Sequence, residues 1–285
     1  MEYRNLEHVG FEELFAGFQR AFSDYDISFG KEEVRSMLRR RGYDPRLSFG
    51  AFDGGEMVAF TFNGIGKYDG RPTAYDTGTG TVKEYRGQGI AGEIFRHSLP
   101  HLRDAGIEQY LLEVLQTNQR AIGVYCRMGF EVTREFDCFR QSVDEISGLR
   151  VGEEMRHACE IIPVDVETVA AMSGFCDFAP SWQNDTSSIE RGATDLVCLG
   201  AYMEGEAAGY CVFDPTTGDL TQIAVAQEWR RRGVGRLLLA KALEGMRTSF
   251  VKILNVDSED VTLPAFLAGH NIPLASRQYE MILPL

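Results

Sequence analysis

The run Arg86-Gly87-Gln88-Gly89-Ile90-Ala91 has an echo in Arg230-Arg231-Arg232-Gly233-Val234-Gly235, and both read Arg-x-x-Gly-x-Gly/Ala. Each follows a stretch with strand character, Thr73 to Val82 and Leu220 to Val225. Each also opens a helical pattern, Ile90 to Arg103 and Val234 to Met246. A strand, a glycine-bearing turn and a helix N-terminus together present free backbone N–H groups and the positive end of a helix dipole. That arrangement suits a phosphate or pyrophosphate. The glycines matter because a Cβ there would hold the ligand off the amides. Two copies, half a chain apart in 285 residues, predict two related halves.

Gly87-Gln88-Gly89-Ile90-Ala91-Gly92 also matches Gly-x-Gly-x-x-Gly, with Glu108 or Glu113 near where a ribose-binding acid would stand. Three features oppose a dinucleotide fold. Lys83 to Arg86 separate the strand from the first glycine, the strand Thr77 to Val82 is not aliphatic, and the second copy has Leu238 at the third glycine position.

The hydrophobic fraction of 44% is enough for two cores. The net charge of −13, weighted towards the second half, disfavours nucleic acid and anionic membrane and favours cationic or neutral partners. No apolar run has the length of a membrane span, and Met1-Glu2-Tyr3-Arg4 does not read as a signal peptide, so a cytoplasmic location is expected. The six cysteines (126, 138, 159, 176, 198 and 211) contain no Cys-x-x-Cys; reduced thiols and no metal are expected.

Helical spacing of Phe11, Leu14, Phe15, Phe18 and Phe22, and of Val34, Met37 and Leu38, predicts two helices. Asp53-Gly54-Gly55-Glu56 predicts a hairpin between Leu47–Phe52 and Met57–Asn63. Gly64 to Pro72 reads as a loop. The glycine-turn unit is followed by Gln109–Leu115 as strand, Asn118–Met128 as helix, and strands near 130–133 and 137–142. Residues 146–156 are polar, with Gly148 and Gly152 close by, and read as a linker. The second half repeats the order more thinly: a strand at His157–Ile162, a helix at Asp165–Gly174, a loop-rich 175–191, a hairpin about Glu204-Gly205-Glu206, the second turn, then strand, helix and strand. The expected fold class is α/β, with two tandem domains at 1–145 and 157–285, each a mostly antiparallel mixed sheet flanked by helices.

Leu111-Leu112-Glu113-Val114, followed by Asn118, Ala121, Tyr125, Gly129 and Phe130, resembles the Leu-x-Glu-Val…Asn-x-x-Ala-x-x-x-Tyr-x-x-x-Gly-Phe signature of the GNAT superfamily of N-acetyltransferases. Two glycine turns agree with a tandem member. The resemblance implies acetyl-coenzyme A as co-substrate. Thr81, Val82 and Lys83 would serve the pantetheine arm, Arg86, Gly87, Gln88, Gly89, Ile90 and Ala91 the pyrophosphate, and Asn118 the cofactor arm. Val225, Arg230, Arg231, Arg232, Gly233, Val234 and Gly235 are the counterparts in the second half. It further implies direct attack by an amine, from a small molecule or a peptide, in a ternary complex, with the protein a monomer or homodimer.

The residues give physical reasons beside the resemblance. Tyr125 and Ala121 share a helix face at i, i+4, and the small Ala lets a cofactor lie close. Asn118 suits both a helix cap and a cofactor contact. A phenol, with an ordinary pKa of about 10 against about 8.5 for a thiol, can protonate a leaving thiolate. Glu113 can take the proton of the attacking ammonium, directly or through water. In the second half Phe266 stands in the place of Tyr125 and Asn255 or Leu254 in that of Glu113, which makes the first half the expected catalytic one. Asp24, Tyr25, Asp26 and Phe29 form the loop expected to border the acceptor. Two other readings stay open: a non-catalytic module binding coenzyme A or a metabolite, and a chain whose C-terminal half is the active one.

Overall fold

The computed structural model describes residues 1–24 and 29–285, and its contacts divide them into two compact units. Unit 1 holds Met1–Thr133 with Tyr279–Leu285, and unit 2 holds Arg134–Gln278. Tyr25 and Asp26 of the expected acceptor loop lie outside the described residues.

In unit 1 the order is β1 (Glu2–Asn5), α1 (Phe11–Ala21), α2 (Lys31–Arg40), β2 (Phe49–Asp53), β3 (Glu56–Tyr68), β4 (Arg71–Thr81), α3 (Ile90–Asp104), β5 (Gln109–Leu115) and α4 (Gln119–Arg127), and then β6 (Glu131–Ser142) begins. Strands β1 to β5 lie side by side in chain order. All neighbours are antiparallel except β4 and β5. Helix α1 buries Leu14, Gly17, Phe18 and Ala21, the i, i+3, i+4, i+7 stripe of an amphipathic helix. That stripe and α2 pack with Phe60 and Phe62 on one sheet face. On the other, α3 and α4 cover Tyr110, Leu112, Val114 and Phe130.

The β2–β3 hairpin turns at Gly54 and Gly55, both at positive φ (58° and 88°), as a two-residue turn of right-handed twist demands. The stretch 64–72 is not a loop: β3 runs on to Tyr68, Asp69 and Gly70 make the turn at φ 50° and 74°, and β4 starts at Arg71. Lys67↔Pro72 and Tyr68↔Arg71 close that ladder, so the Asp-Gly pair is the turn signal that decides the segment.

Unit 2 continues with α5 (Glu153–Ala158), β7 (Cys159–Pro163), α6 (Val166–Ala171), α7 (Thr186–Gly192), β8 (Val197–Met203), β9 (Glu206–Asp214), β10 (Asp219–Val225), α8 (Val234–Gly245), β11 (Phe250–Asp257), α9 (Thr262–Ala268) and the first residues of β12 (Leu274–Pro284). Its strands stand in the order β6-β11-β10-β9-β8-β7, with β10 and β11 parallel and the rest antiparallel. The expected strand from His157 starts at Cys159, because Glu153–Ala158 is helical. The loop-rich 175–191 contains α7, capped by the Asp185 carboxylate, which accepts from Ser188 N–H at 2.6 Å.

A β-bulge marks the same point of both glycine-turn strands. In β4 the register passes from Phe62↔Gly78 to Asn63↔Asp76, leaving Thr77 extra; in β10 it passes from Leu220↔Phe213 to Gln222↔Val212, leaving Thr221 extra. Opposite the β4 bulge, Gly64 bridges to Tyr43, and a Cβ on Gly64 would stand 2.0 Å from the Arg41 carbonyl oxygen. Backbone cannot yield there as a side-chain tip can. Gly64→Ala is therefore expected to destabilise the protein by about 1–3 kcal/mol, read as a lower denaturation midpoint in urea with unchanged slope.

Candidate active site

Both glycine turns are braced by the arginine that opens them. Arg86 Nε donates to Thr81 O (2.9 Å), Nη2 to Ala21 O (2.8 Å), and Nη1 and Nη2 to the two Asp24 oxygens (2.7 Å each). Arg230 repeats the pattern on Val225 O (2.8 Å), Phe175 O (3.1 Å) and Asp177 (2.9 and 3.0 Å). These guanidinium groups tie the end of a strand to an earlier segment and hold the turn in place. Arg86 correspondingly pulls the Asp24 carboxyl below its ordinary pKa, mainly through the side-chain hydrogen bond. Both arginines stand at the turns where the sequence has them, and their side chains act as struts, leaving the backbone after them as the part of each turn that a ligand could meet.

In unit 1 that backbone is open. Gly87 and Gly89 sit at φ 80° and 78°, and Gly89 is the N-cap of α3 with no side chain capping the first turn. Among the described residues, nothing lies within 4 Å of where a Cβ on Gly89 would be, and only Arg120 Nη2, at 3.8 Å, lies near that of Gly87. The cradle fits a pyrophosphate, and Arg120, which sequence reasoning missed, adds a cation beside it.

A cavity of about 830 Å³ runs from this turn along β4. Thr81, Arg86, Gly87, Gly89, Ile90, Ala91, Asn118 and Tyr125 line it. Val82, Lys83, Gln88 and Glu113 do not. Val82 donates its N–H to Val58 O and packs on the α1 side, Lys83 is exposed, and Gln88 Nε2 bonds Glu84 O. Asn118 caps α4, its Oδ1 accepting from Ala121 N–H at 3.2 Å.

Strand alternation separates the two expected catalytic groups. Tyr110, Leu112 and Val114 of β5 share a face with Tyr125, so Glu113 points to the opposite one, where it accepts from the Tyr75 hydroxyl at 3.2 Å. The acid that lines the cavity with Tyr125 is Asp76, which the sequence reading did not single out. Asp76 stands at the β4 bulge, just where the parallel ladder to β5 ends: among the described residues it runs from Thr73↔Gln109 to Tyr75↔Leu111. Its carboxylate accepts from Gly78 N–H (2.9 Å) and Thr79 O–H (2.8 Å), and Thr79 Oγ1 lies 3.2 Å from Thr61 Oγ1. Burial outweighs these bonds and the nearby Arg41 charge, and pushes the carboxyl up to about 6. Burial, and then the Asp76 charge, hold the Tyr125 phenol well above its ordinary pKa. Tyr110, fully buried beside them, donates to Asn63 Oδ1 at 2.5 Å.

Unit 2 has a cavity of about 680 Å³ at its own turn, lined by Val225, Arg230, Arg231, Gly233 and Gly235, with Phe266 in the wall. Arg232 instead stacks over Trp229 at 4.9 Å, and Val234 is buried. Arg231 occupies at φ 65° the place that Gly87 fills in unit 1. The residue before the bulge, matching Asp76, is Leu220, buried in the core. Phe266 stacks edge-on against His270 (4.7 Å). Asn255, at φ 58°, is fastened by Ser181 and Gln278 (3.1 and 3.0 Å). Neither a carboxylate nor a phenol stands where unit 1 has Asp76 and Tyr125.

Among the described residues, no group of His, Cys, Asp or Glu is placed to hold a metal ion, and no helix is long and apolar enough to cross a membrane. The six cysteines are free.

The family model described as the acetyltransferase (GNAT) family matches residues 11–130 and 169–264. The chain belongs to this family. It is 28% identical over 102 residues to a mycothiol acetyltransferase of Propionibacterium freudenreichii (35% of this chain, 33% of that protein), and 31% identical over 86 residues to the N-alpha-acetyltransferase MAK3 of Arabidopsis thaliana (30% and 45%). The aligned part thus spans from a third to under half of these relatives. The fold matches a tandem GNAT protein from the clavulanic acid biosynthesis pathway, with a TM-score of 0.76 at 15% identity over 99% of this chain and 98% of that one. It also matches a GCN5-related N-acetyltransferase from Sphaerobacter thermophilus, with a TM-score of 0.71 at 16% identity over 99% and 95%. Both expected GNAT regions are present, and the mixed α/β class holds.

The bracing arginines yield a direct test. Lysine keeps the charge but cannot hold two carbonyls and a carboxylate together. Arg86→Lys is expected to cost about 2 kcal/mol and to lower the melting temperature by roughly 6 °C in calorimetry.

Proposed function

We propose that unit 1 transfers an acetyl group from acetyl-coenzyme A to an amine by direct attack in a ternary complex. The observation that carries this reading is that Asp76, Tyr125 and, from the open turn, Gly87, Gly89, Ile90 and Ala91 line one cavity. Bound acetyl-coenzyme A would supply an activated acyl group and a thiolate leaving group. The backbone of Gly87 to Ala91 and the α3 N-terminus would hold its pyrophosphate, Arg120 would add charge, and Thr81 and Asn118 would flank the arm.

Asp76 is the proposed base. With a pKa near 6 it is ionised at neutral pH, yet basic enough to take a proton from an arriving ammonium. Thr79 and Gly78 fix the carboxylate, so it does not need to reorient. Tyr125 is the proposed acid: its raised pKa keeps the phenol protonated in the resting protein, so the proton is at hand for the thiolate as the carbon–sulfur bond breaks. Glu113 is left on the opposite sheet face, bonded by Tyr75. An amine acceptor, from a small molecule or a peptide, agrees with the net negative charge and with the relative named for N-alpha-acetylation. Unit 2 is read as non-catalytic, because Leu220 and Phe266 replace both proton carriers.

Thioester consumption with a panel of amines tests the activity; no turnover with any amine overturns it. Tyr125→Phe is expected to lower kcat by about 10²-fold while calorimetric binding of acetyl-coenzyme A stays unchanged; unchanged turnover removes the assignment of Tyr125.

The pH dependence follows from Asp76. Protonation disables the base, so kcat/KM rises with pH through about 6 and then levels off. Asp76→Asn is expected to lose that limb along with about 10²-fold or more of kcat/KM. The folded-state pKa lies above the ordinary value, so Asp76 favours the fold when protonated, and this contribution is lost as pH rises through about 6. The variant is therefore expected to melt no lower than the parent at pH 8, whereas a markedly lower melting point would mark Asp76 as structural.

A further inference from the structure

The two turns are alike in backbone and strut, yet different in what lies over them. Among the described residues the Cβ direction at Gly89 meets nothing within 4 Å; at Gly233 it meets Val151 Cγ1 at 3.4 Å and Met155 Cγ at 3.5 Å. Both side chains come from the segment that composition marks as a linker. That segment is anchored along its length. Ser147 N–H donates to His270 O, and His270 Nδ1 is 2.8 Å from Ser147 O. Asn271 Nδ2 donates to Glu145 O at 2.9 Å. Arg236, in the first turn of α8, gives Nη1 to the Arg150 carbonyl at 2.9 Å. Ile146, Leu149 and Met155 pack on the unit 2 core. A Cβ on Gly148, which sits at φ 72°, would stand 3.2 Å from the Gly269 carbonyl oxygen.

We infer that residues 147–156 are a resident strap over the second turn, so that coenzyme A binds unit 1 alone: a cavity lies beside the unit 2 turn, but Val151 and Met155 already occupy the space over Gly233. A pyrophosphate approaching the α8 amides at Gly233 meets Val151 and Met155, and Arg236, a cation in the first turn of that helix, is already spent on a strap carbonyl. Two apolar side chains are poor company for a pyrophosphate, whose desolvation they would not offset. The strap also explains why the second turn tolerates Arg231 at a position where left-handed backbone strains any side chain: no ligand has to come close to that residue's backbone. The inference rests on the proposed coenzyme A reading for its ligand, but not for the docking of the strap.

The two parts are tested separately. Trypsin probes the strap without any ligand. The Arg150–Val151 bond is expected to resist cleavage in the native protein, and Val151→Asp with Met155→Asp to speed it by about tenfold or more, read by mass spectrometry. Rapid cutting at Arg150 in the unmodified protein overturns the strap. Calorimetric titration of coenzyme A is then expected to show one site, lost in Gly89→Ile and kept in Gly233→Ile, and a second site in the double aspartate variant or, should that variant misfold, in Arg236→Ala with Met155→Ser. Two sites in the unmodified protein, or one site lost through position 233, also overturn the inference. No binding to a trypsin-resistant protein would refute the coenzyme A reading and leave the strap supported.

Discussion

A guanidinium fork holds each half of this protein at its most consequential point. A glycine turn by itself is a floppy thing, and its amides converge only if the strand before it and the helix after it are fixed together. Arg86 and Arg230 do this by gripping the last strand carbonyl, a carbonyl of an earlier segment and an aspartate at once, a pattern that a planar, five-donor group satisfies and a lysine does not. The same grip draws Asp24, where the segment expected to border the acceptor begins, to the first turn.

What was legible in the sequence was whatever depends on residue identity at a fixed spacing. Left-handed backbone at Gly87, Gly89 and Gly233 favours glycine, a capping Asn118 needs its amide oxygen, and Tyr125 falls a helical turn from Ala121. These could be read because the local constraint and the residue type are one fact. Asp76 was hidden because a single extra residue in β4 shifts which side chains face the cavity, and a bulge leaves no mark in an alternating pattern. Glu113 shows the converse: its motif was plain, but its face was decided by β5 pairing and by the hydroxyl of Tyr75, both distant in sequence. The covered second turn was hidden for another reason. Residues 146–156 are polar enough to pass for free chain, and three apolar side chains and a few carbonyls suffice to dock them.

The halves therefore share a frame and differ in what each puts into it. Unit 1 spends its buried positions on a carboxylate whose charge is costly to bury and on a phenol kept protonated beside it. Unit 2 fills the corresponding places with Leu220 and Phe266, which cost nothing to desolvate, and its Tyr210 lies between Cys176 and Gln222, which donates on to the Asn184 carbonyl. In unit 1 these places carry the cost of a desolvated charge, and in unit 2 ordinary apolar side chains fill them.

The membership of β12 sets the order in which such a protein can be finished. Tyr279–Leu285 belong to unit 1, where Met281 is fully buried, Glu280 accepts from Tyr68 and Thr133 at 2.6 and 2.8 Å, and Leu285 N–H reaches Glu108 O. The ribosome makes those residues only after all of Arg134–Gln278. The proposed catalytic unit, although encoded first, leaves synthesis lacking a strand and has to wait for its neighbour to be translated before its sheet is complete. A gene split at the linker would therefore deliver the first half unfinished, and the two units are bound to be inherited as one.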